Sequence, residues 1–338
     1  MSSSPTEVCL TIDTEFSIGG AFKDPRTRRP IGRPHVDCHA EGEDHGLPFL
    51  LKTFQKFGIK ATFFVETLSR TYFGDQPLRQ TIEAILEAGQ DVQLHIHPCW
   101  WAFRHTDWAE RVAVEHPNDS CAGRTSAELE TFLAAGLGPF EEWKLPRPIA
   151  LRTGNLELDR TIYSAMSRQG LRISSSVGLG VYRPREAELH LASGRHTIDG
   201  IIEVPVLTFR QLALGPVGRD HVLTITGVGT AETIAILRAA RRSGLEQVVV
   251  LTHPFEYVKC APPGEEGVRP NRINKARLVA LCRFISEHPD EFTSVSFSAA
   301  APRWLLHPAT ERPELRAPLL ASLSSLIENQ ANDRLRWL

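Results

Sequence analysis

His95 and His97 stand two residues apart near the end of the stretch DVQLHIHPCWW, residues 91–101. Val92, Leu94 and Ile96 alternate with Asp91, Gln93, His95 and His97, a period of two that predicts a strand with one apolar face. Both imidazoles then leave the strand on the same side. Pro98 removes a backbone donor and ends the ladder. Two neutral nitrogens on a rigid support are what a metal ion needs, whereas the plainer alternative is two polar residues on a solvated strand face.

Three more predicted strand ends carry reactive groups. In EVCLTID (7–13), Val8, Leu10 and Ile12 face one way and Cys9, Thr11 and Asp13 the other, and continuing the alternation puts Glu15 on the side of Asp13. Arg152 ends the short strand 148–152, and His253 follows the apolar run QVVVLT at 247–252. If the strands are parallel and closed into a barrel, all of these ends meet at one rim. Glu15, His95 and His97 would offer one oxygen and two nitrogens and leave a position open, the three-ligand pattern of catalytic zinc. Zinc is the expected divalent ion, and Co²⁺, Fe²⁺, Mn²⁺ or Ni²⁺ fit the same donors. Such an ion lowers the pKa of a bound water toward ~7 and polarises a carbonyl. Asp13 then reads as general base, Arg152 as the ion-pair partner that keeps it ionised, and His253 as the acid that protonates a leaving amine. Each has a bland counterpart: a structural ion pair for Arg152, a turn for the His253-Pro254 dipeptide, a loop cap for Asp13 or Glu15.

The elements that must position these groups alternate along the chain. Helical spacing marks 45–57, 78–88, 126–137, 156–169, 231–242 and 271–287, and strands are expected at 7–13, 60–66, 91–97, 148–152, 171–175, 200–206, 222–225, 247–252 and 292–297. Residues 16–44 show no period and predict a long loop at the carboxylate end, carrying His35, His39, Arg26, Arg28, Arg29 and Arg33. Residues 177–200 are expected to be irregular. This order predicts an α/β fold, a single barrel-like domain over residues 1–303 with long loops at its C-terminal rim. A helical tail follows at 304–338, with Leu319, Leu320, Leu323, Leu326 and Ile327 packing on the barrel. At the rim, Trp100, Trp101, Asn155 and His45 are the expected substrate contacts, the tryptophans as stacking platforms for a sugar ring.

Bulk composition excludes several classes. The 338 residues are 42% hydrophobic and 23% charged, with a formal net charge of −2, which gives no electrostatic case for nucleic acid or a membrane surface. No run approaches a membrane span, and the N-terminal sequence lacks a basic start or long apolar stretch, so neither a span nor a signal peptide is expected. Six scattered cysteines without a CxxC pair predict free thiols and a cytoplasmic protein. Self-association into a homo-oligomer stays open.

The ordered segments TIDTEF, KATFFVE, DVQLHIHP, LRTGN, IIEVPV and LTHP resemble the motif set of the NodB-like polysaccharide deacetylases, carbohydrate esterase family four, from about Glu7 to His253. The resemblance implies a distorted (β/α)7-type barrel and metal-dependent removal of an N- or O-acyl group. By position it implies Asp13 as base, Glu15 and His95 as ligands, Arg152 as the residue orienting the base, and His253 as acid. Two departures mark a divergent branch. The acids are separated by Thr14 where adjacent aspartates are usual, and the position four after His95 is Cys99 where a second histidine is usual. Either His97 or Cys99 takes that place; His97 is preferred because it shares the face of His95. The expected activity is deacetylation of an N-acetylated sugar or related small amide, on a small-molecule or carrier-linked carbohydrate. Alternatives are an allantoinase-like cyclic amide hydrolase on the same fold, a metal-independent glycosidase-like barrel, and a non-catalytic carbohydrate-binding descendant.

Overall fold

Alternating apolar residues do build a parallel sheet. In the computed structural model, which describes residues 4–115, 117–214, 217–260, 267–310 and 313–334, the strands Thr6–Thr14, Ala61–Glu66, Asp91–Ile96, Ala150–Thr153, Ile173–Ser174 and Ile201–Glu203 pair in that order, all parallel. Gln247–Thr252 pairs parallel with the other side of Thr6–Thr14. His196–Ile198 adds antiparallel to one edge, and Phe292–Ser294 joins the start of the first strand. The nine strands curl into an open half-barrel, a distorted (β/α) barrel.

The central strands have two buried faces, as expected for a parallel sheet covered on both sides. Outward residues Val8, Leu10, Ile12, Phe63, Val65, Leu94, Ile96 and Leu151 pack with Leu50 and Phe54 of helix Leu47–Phe57, Ile82 and Ile85 of Asp75–Glu87, and Leu129 and Leu133 of Ser126–Glu142. On the alternate face, Cys9, Phe64, Ala150, Ile173, Ile202, Val249 and Leu251 form a second cluster. Its stopper is Phe297–Leu306, a helix that contributes Phe297, Ala300, Ala301 and Trp304. This helix starts at the N-terminal ends of the strands, where the Phe297 N–H donates to Thr62 and the Ser298 N–H to Asp91. The concave face is therefore apolar at its floor. Thr11, Asp13, His95 and Arg152 continue the same alternation toward the opposite end.

Several boundaries differ from the sequence reading. The strand expected at 292–297 ends at Ser294, because the Ser296 side chain accepts from the Ala299 N–H and turns the chain into the stopper helix. The division expected after residue 303 falls inside that helix, whose Trp304 is fully buried. Residues 16–44 are not featureless. They carry the short helix Arg33–Asp37, a hairpin of His39–Ala40 with Glu43–Asp44 that ends the segment, and a Ser17–Ile31 bridge. Residues 177–200 hold the edge strand His196–Ile198, and the strand expected at 222–225 is broken up: Val222 ends the strand Val217–Val222 and Thr224 makes a single bridge to Leu251. A hairpin of Thr208–Leu214 with Val217–Val222 carries no signal that the sequence reading used.

The tail helix, Leu319–Arg334, is present but faces the other way round. Ser322 and Ser325 are buried, while Leu320 and Ile327 are exposed. The groove that receives it offers hydrogen-bonding groups: Ser322 donates to Glu232, and the Gly229 N–H donates to Ser325. Arg277 pairs with Glu328 and Asn329. Residues 335–338 of the expected tail and the side chain of Cys260 lie outside the described residues, and Cys9, Cys99, Cys121 and Cys282 are free thiols.

Trp304 fills the floor beneath the strands, 5.1 Å from the ring of Phe297. Replacing it by alanine should lower the unfolding free energy by about 3–5 kcal/mol. Urea denaturation followed by circular dichroism measures this, and a loss under ~1 kcal/mol would mean that the helix is not a structural stopper.

Candidate active site

Register brings the reactive strand ends level. His95 is flanked by Glu66 on one neighbour and Arg152 on the other, and the strand of Asp13 lies between those ending in Glu66 and Thr252. His97 is one residue past its strand but still extended, so the alternation carries through it. Its ring meets that of His95 edge to face, with centroids 4.7 Å apart.

Three donors converge. Glu15 Oε2 lies 3.1 Å from His95 Nε2 and 2.5 Å from His97 Nε2. The remaining ring nitrogens are committed elsewhere. His95 Nδ1 donates to the carbonyl of Arg152 at 2.9 Å, and His97 Nδ1 lies 2.5 Å from Asp119 Oδ2. An imidazole that donates from Nδ1 keeps its Nε2 lone pair for a metal, so the tautomers that these partners select suit a cation beside Glu15. Burial opposes charge on both Glu15 and His97. Their mutual attraction nevertheless holds the Glu15 carboxyl well below its ordinary range, and Glu15 and Asp119 hold the His97 imidazole well above its own. One oxygen and two imidazole nitrogens, all within 4.8 Å of one another, fit a divalent ion.

Beside this trio sits a buried ion pair. Arg152, fully buried, donates from Nη1 to Asp13 Oδ1 at 2.9 Å and to Thr11 Oγ1 at 2.9 Å, and its Nε and Nη2 donate to the carbonyl and hydroxyl of Ser175. Asp13 Oδ2 stays clear of that contact and lies 4.0 Å from His253 Nε2. On its other side His253 Nδ1 is 2.8 Å from Glu256 Oε1. Glu256 is itself fixed, since its Oε2 accepts from Thr252 Oγ1 at 2.7 Å and from the His253 N–H at 3.1 Å. Burial would push the His253 imidazole down, but Glu256, Asp13 and Glu15 raise it to about 9.

With this arrangement in view, comparison with solved structures is informative. A protein assigned as a polysaccharide deacetylase from Mycobacterium smegmatis superposes with a TM-score of 0.50 at 20% identity, covering 93% of this chain and 99% of that one. A protein assigned as a glycoside hydrolase/deacetylase from Parabacteroides distasonis gives 0.55 at 11% identity, covering 90% and 72%. A CE4 family pseudoenzyme from Bacillus anthracis gives 0.43 at 12% identity, covering 92% and 69%. The fold is that of the polysaccharide deacetylases. No family model matches the sequence, and no curated protein matches it. Fold likeness at these identities does not carry an activity, which has to be argued from the site.

Within this deacetylase fold, Asp13, Glu15, His95, His97, Arg152 and His253 come together, whereas the expected substrate contacts divide. Trp100 is 1% exposed and packs against Phe73 and Phe103, so its faces are covered by protein and cannot stack on a sugar. His45 is buried too; Lys275 donates to its Nδ1 at 2.7 Å and its Nε2 meets the Ala40 carbonyl, which spends both nitrogens inside the protein. Trp101 is half-buried, with Arg104 over its ring at 4.7 Å. Asn155 is exposed and donates to Asp119 Oδ2 at 3.2 Å. The rim arginines are engaged as well: Arg33 with Asp37 and Gln80, and Arg29 with backbone carbonyls and the ring of Trp108. Cys99 is not in the Glu15 cluster. Asp119 and Glu256 escaped the sequence reading. Asp119 lies in irregular chain with no period to betray it; Glu256, three residues after His253 at the start of a helical turn, has the spacing of a capping box.

Removing the Glu256 charge tests the His253 contact. In Glu256→Gln the imidazolium loses its main stabiliser, so the His253 pKa should fall by about 1–3 units from near 9. An NMR titration of the histidine side chains in metal-free protein reads it, and an unmoved pKa would show that the carboxylate does not govern this ring.

Proposed function

We propose that the chain is a divergent NodB-like deacetylase, a metal-dependent hydrolase that removes an N-acetyl or other acyl group from a sugar or related small amide. The observation that carries this reading is the placement of an ion-paired carboxylate and an imidazole raised toward the charged form beside a three-donor cluster. Asp13 Oδ2 and His253 Nε2 face each other at 4.0 Å while their far sides are tied to Arg152 and Glu256. Glu15, His95 and His97 would hold a divalent ion, zinc by its donor preference, and that ion supplies Lewis acidity toward water and an acyl oxygen.

The remaining work falls to this chain's own side chains. Asp13 takes the proton from the attacking water through Oδ2, since Oδ1 is engaged by Arg152. Arg152 keeps that carboxylate ionised and aimed. A C–O bond forms and the C–N bond breaks, which leaves an amine nitrogen that needs a proton. His253 holds one on Nε2 near neutral pH and delivers it there, while Glu256 fixes the ring through Nδ1. A cyclic amide would use the same groups, so the acyl donor is decided by assay.

No helix among the described residues is long and apolar enough to cross a membrane. The free buried thiols of Cys9, Cys99, Cys121 and Cys282 favour a reducing compartment, and with it a soluble or carrier-linked carbohydrate substrate in the cytoplasm.

Purified protein should carry one divalent ion per chain and release acetate from N-acetylated sugars, with activity abolished by a chelator and restored by added metal. Cleavage of a glycosidic bond that survives complete metal removal would instead support the glycosidase-like reading. Asp13→Asn should keep the metal and lose about 10²–10⁴ in turnover. Elemental analysis beside an acetate-release assay measures both, and wild-type turnover in this variant would overturn the base role.

A further inference from the structure

His97 is held from the side opposite Glu15 by parts of three segments. Asp119 Oδ2 lies 2.5 Å from its Nδ1. Both oxygens of Asp119 are fixed in turn, since Oδ1 accepts from the Cys99 N–H at 3.0 Å and Oδ2 from Asn155 Nδ2 at 3.2 Å. The imidazole also lies flush against Gly154. A Cβ at that position would come within 2.4 Å of His97 Nδ1, 2.6 Å of Cε1 and 2.8 Å of Cγ, closer than any side chain permits. Gly154 is buried and its φ is not in the left-handed region, so close approach of the ring is the reason this position is glycine. The result is a slot with a hydrogen-bond acceptor at its end, and a ring seated in it presents Nε2 to Glu15 at 2.5 Å.

We infer that Asp119 and Gly154 form a positioning cradle that makes His97 a metal ligand through Nε2, with Cys99 contributing its backbone N–H and not its thiol. The inference rests on the proposed metal site and assigns how its second histidine is held. A histidine only two residues after the first cannot rely on the geometry of a following helical turn, so its ring needs an outside anchor. A carboxylate that accepts from the second ring nitrogen fixes both orientation and tautomer, and losing such a partner costs about 10–100-fold in metal affinity. The competing arrangement uses the same atoms differently: His97, Cys99 and Asp119 also lie within reach of one another and could share a second ion. Against it, both Asp119 oxygens are already occupied by N–H donors.

Zn²⁺ titration of the full-length metal-free protein against a chromophoric chelator separates these arrangements. Wild type should bind one Zn²⁺. Asp119→Ala and Gly154→Ala should each weaken it by about 10–100-fold, Asp119→Asn by less, and Cys99→Ala should stay within about threefold of wild type. Circular dichroism confirms that each variant is folded. Long-range ¹⁵N imidazole spectra of zinc-loaded wild type supply a readout that needs no variant, and should show His97 ligated through Nε2 with hydrogen on Nδ1. Unchanged affinity in Asp119→Ala and Gly154→Ala overturns the cradle, as does ligation through Nδ1. A Cys99→Ala loss as large as that of His97→Ala, or two Zn²⁺ per chain, overturns it as well. Wild type that binds no Zn²⁺ sinks the metal reading and the cradle together; wild type that binds one, beside variants that bind it equally, sinks the cradle alone.

Discussion

The guanidinium of Arg152 ties the site together. It is fully buried, and it donates to Asp13 and Thr11 on the first strand and to Ser175 on the far side of its own strand. The carbonyl of the same residue receives His95 Nδ1. One residue therefore fixes the ionised carboxylate with its side chain and the imidazole tautomer with its backbone. A buried charge of this kind is costly to strand: removing one partner of such a pair typically destabilises by about 3–5 kcal/mol, because the other is left uncompensated. The stacking of Arg152 over Phe64 at 4.4 Å completes its surroundings, and that ring belongs to the apolar cluster closed by the stopper helix. Floor and site are thus continuous through a single side chain.

Charge around this node is unevenly supplied. Asp13, Glu15, Asp119 and Glu256 crowd one rim, and Arg152 is the permanent cation among them. His253 answers Glu256 when protonated, and Arg152 answers Asp13. Glu15 meets His95 and one side of His97, and Asp119 meets the other side of His97 while accepting from the uncharged Cys99 N–H and Asn155 amide. Two imidazole lone pairs pointed at one carboxylate oxygen are repulsive unless a proton or a cation lies between them, and this is the electrostatic reason that the cluster suits a divalent ion. Glu66 shows the contrast. It is buried beside His95, yet its oxygens accept from the N–H groups of Leu68 and Ser69, and burial raises its pKa to about 7. It serves the loop and leaves the donor cluster to Glu15.

Strong apolar alternation made Asp13, Glu15, His95 and His97 legible in the sequence, whereas Arg152 and His253 were legible as the ends of a short strand and of a continuous apolar run. Asp13, Glu15, His95, His97, Arg152 and His253 all belong to the inward set of a period-two pattern, and parallel pairing does the rest. What alternation cannot express was lost. Asp119 reaches the site from irregular chain after helix Trp108–Glu115, and Gly154 matters for a side chain that it does not possess. Residue type misled in the other direction: Trp100 and His45 look like ligand contacts, but a large ring or an imidazole near a rim is equally good packing and hydrogen-bonding material. The tail helix failed for a related reason. Its leucines share a face, yet the groove it enters offers Glu232 and Arg277, so the serine face went inward.

Phe255 contacts two imidazoles whose environments push their pKa values in opposite directions. His253 lies against one side of the phenyl ring at 4.9 Å and His35, from helix Arg33–Asp37, stacks on it at 4.6 Å. Burial lowers the His35 pKa, with Glu15 too weak a counterweight, whereas Glu256 and Asp13 overcome burial at His253 and raise it to about 9. Near neutral pH the pair is one charged and one neutral ring within the span of a single phenyl group. Divergent pKa values at neighbouring titratable groups are how one site keeps an acid distinct from a neutral wall. In the proposed chemistry only His253 brings a proton to the leaving group, and it does so from a ring oriented by Glu256 and backed by Phe255. The segment carrying His35, which the sequence presented as a featureless loop, supplies a neutral imidazole beside the same phenyl ring and leaves the acid role to His253.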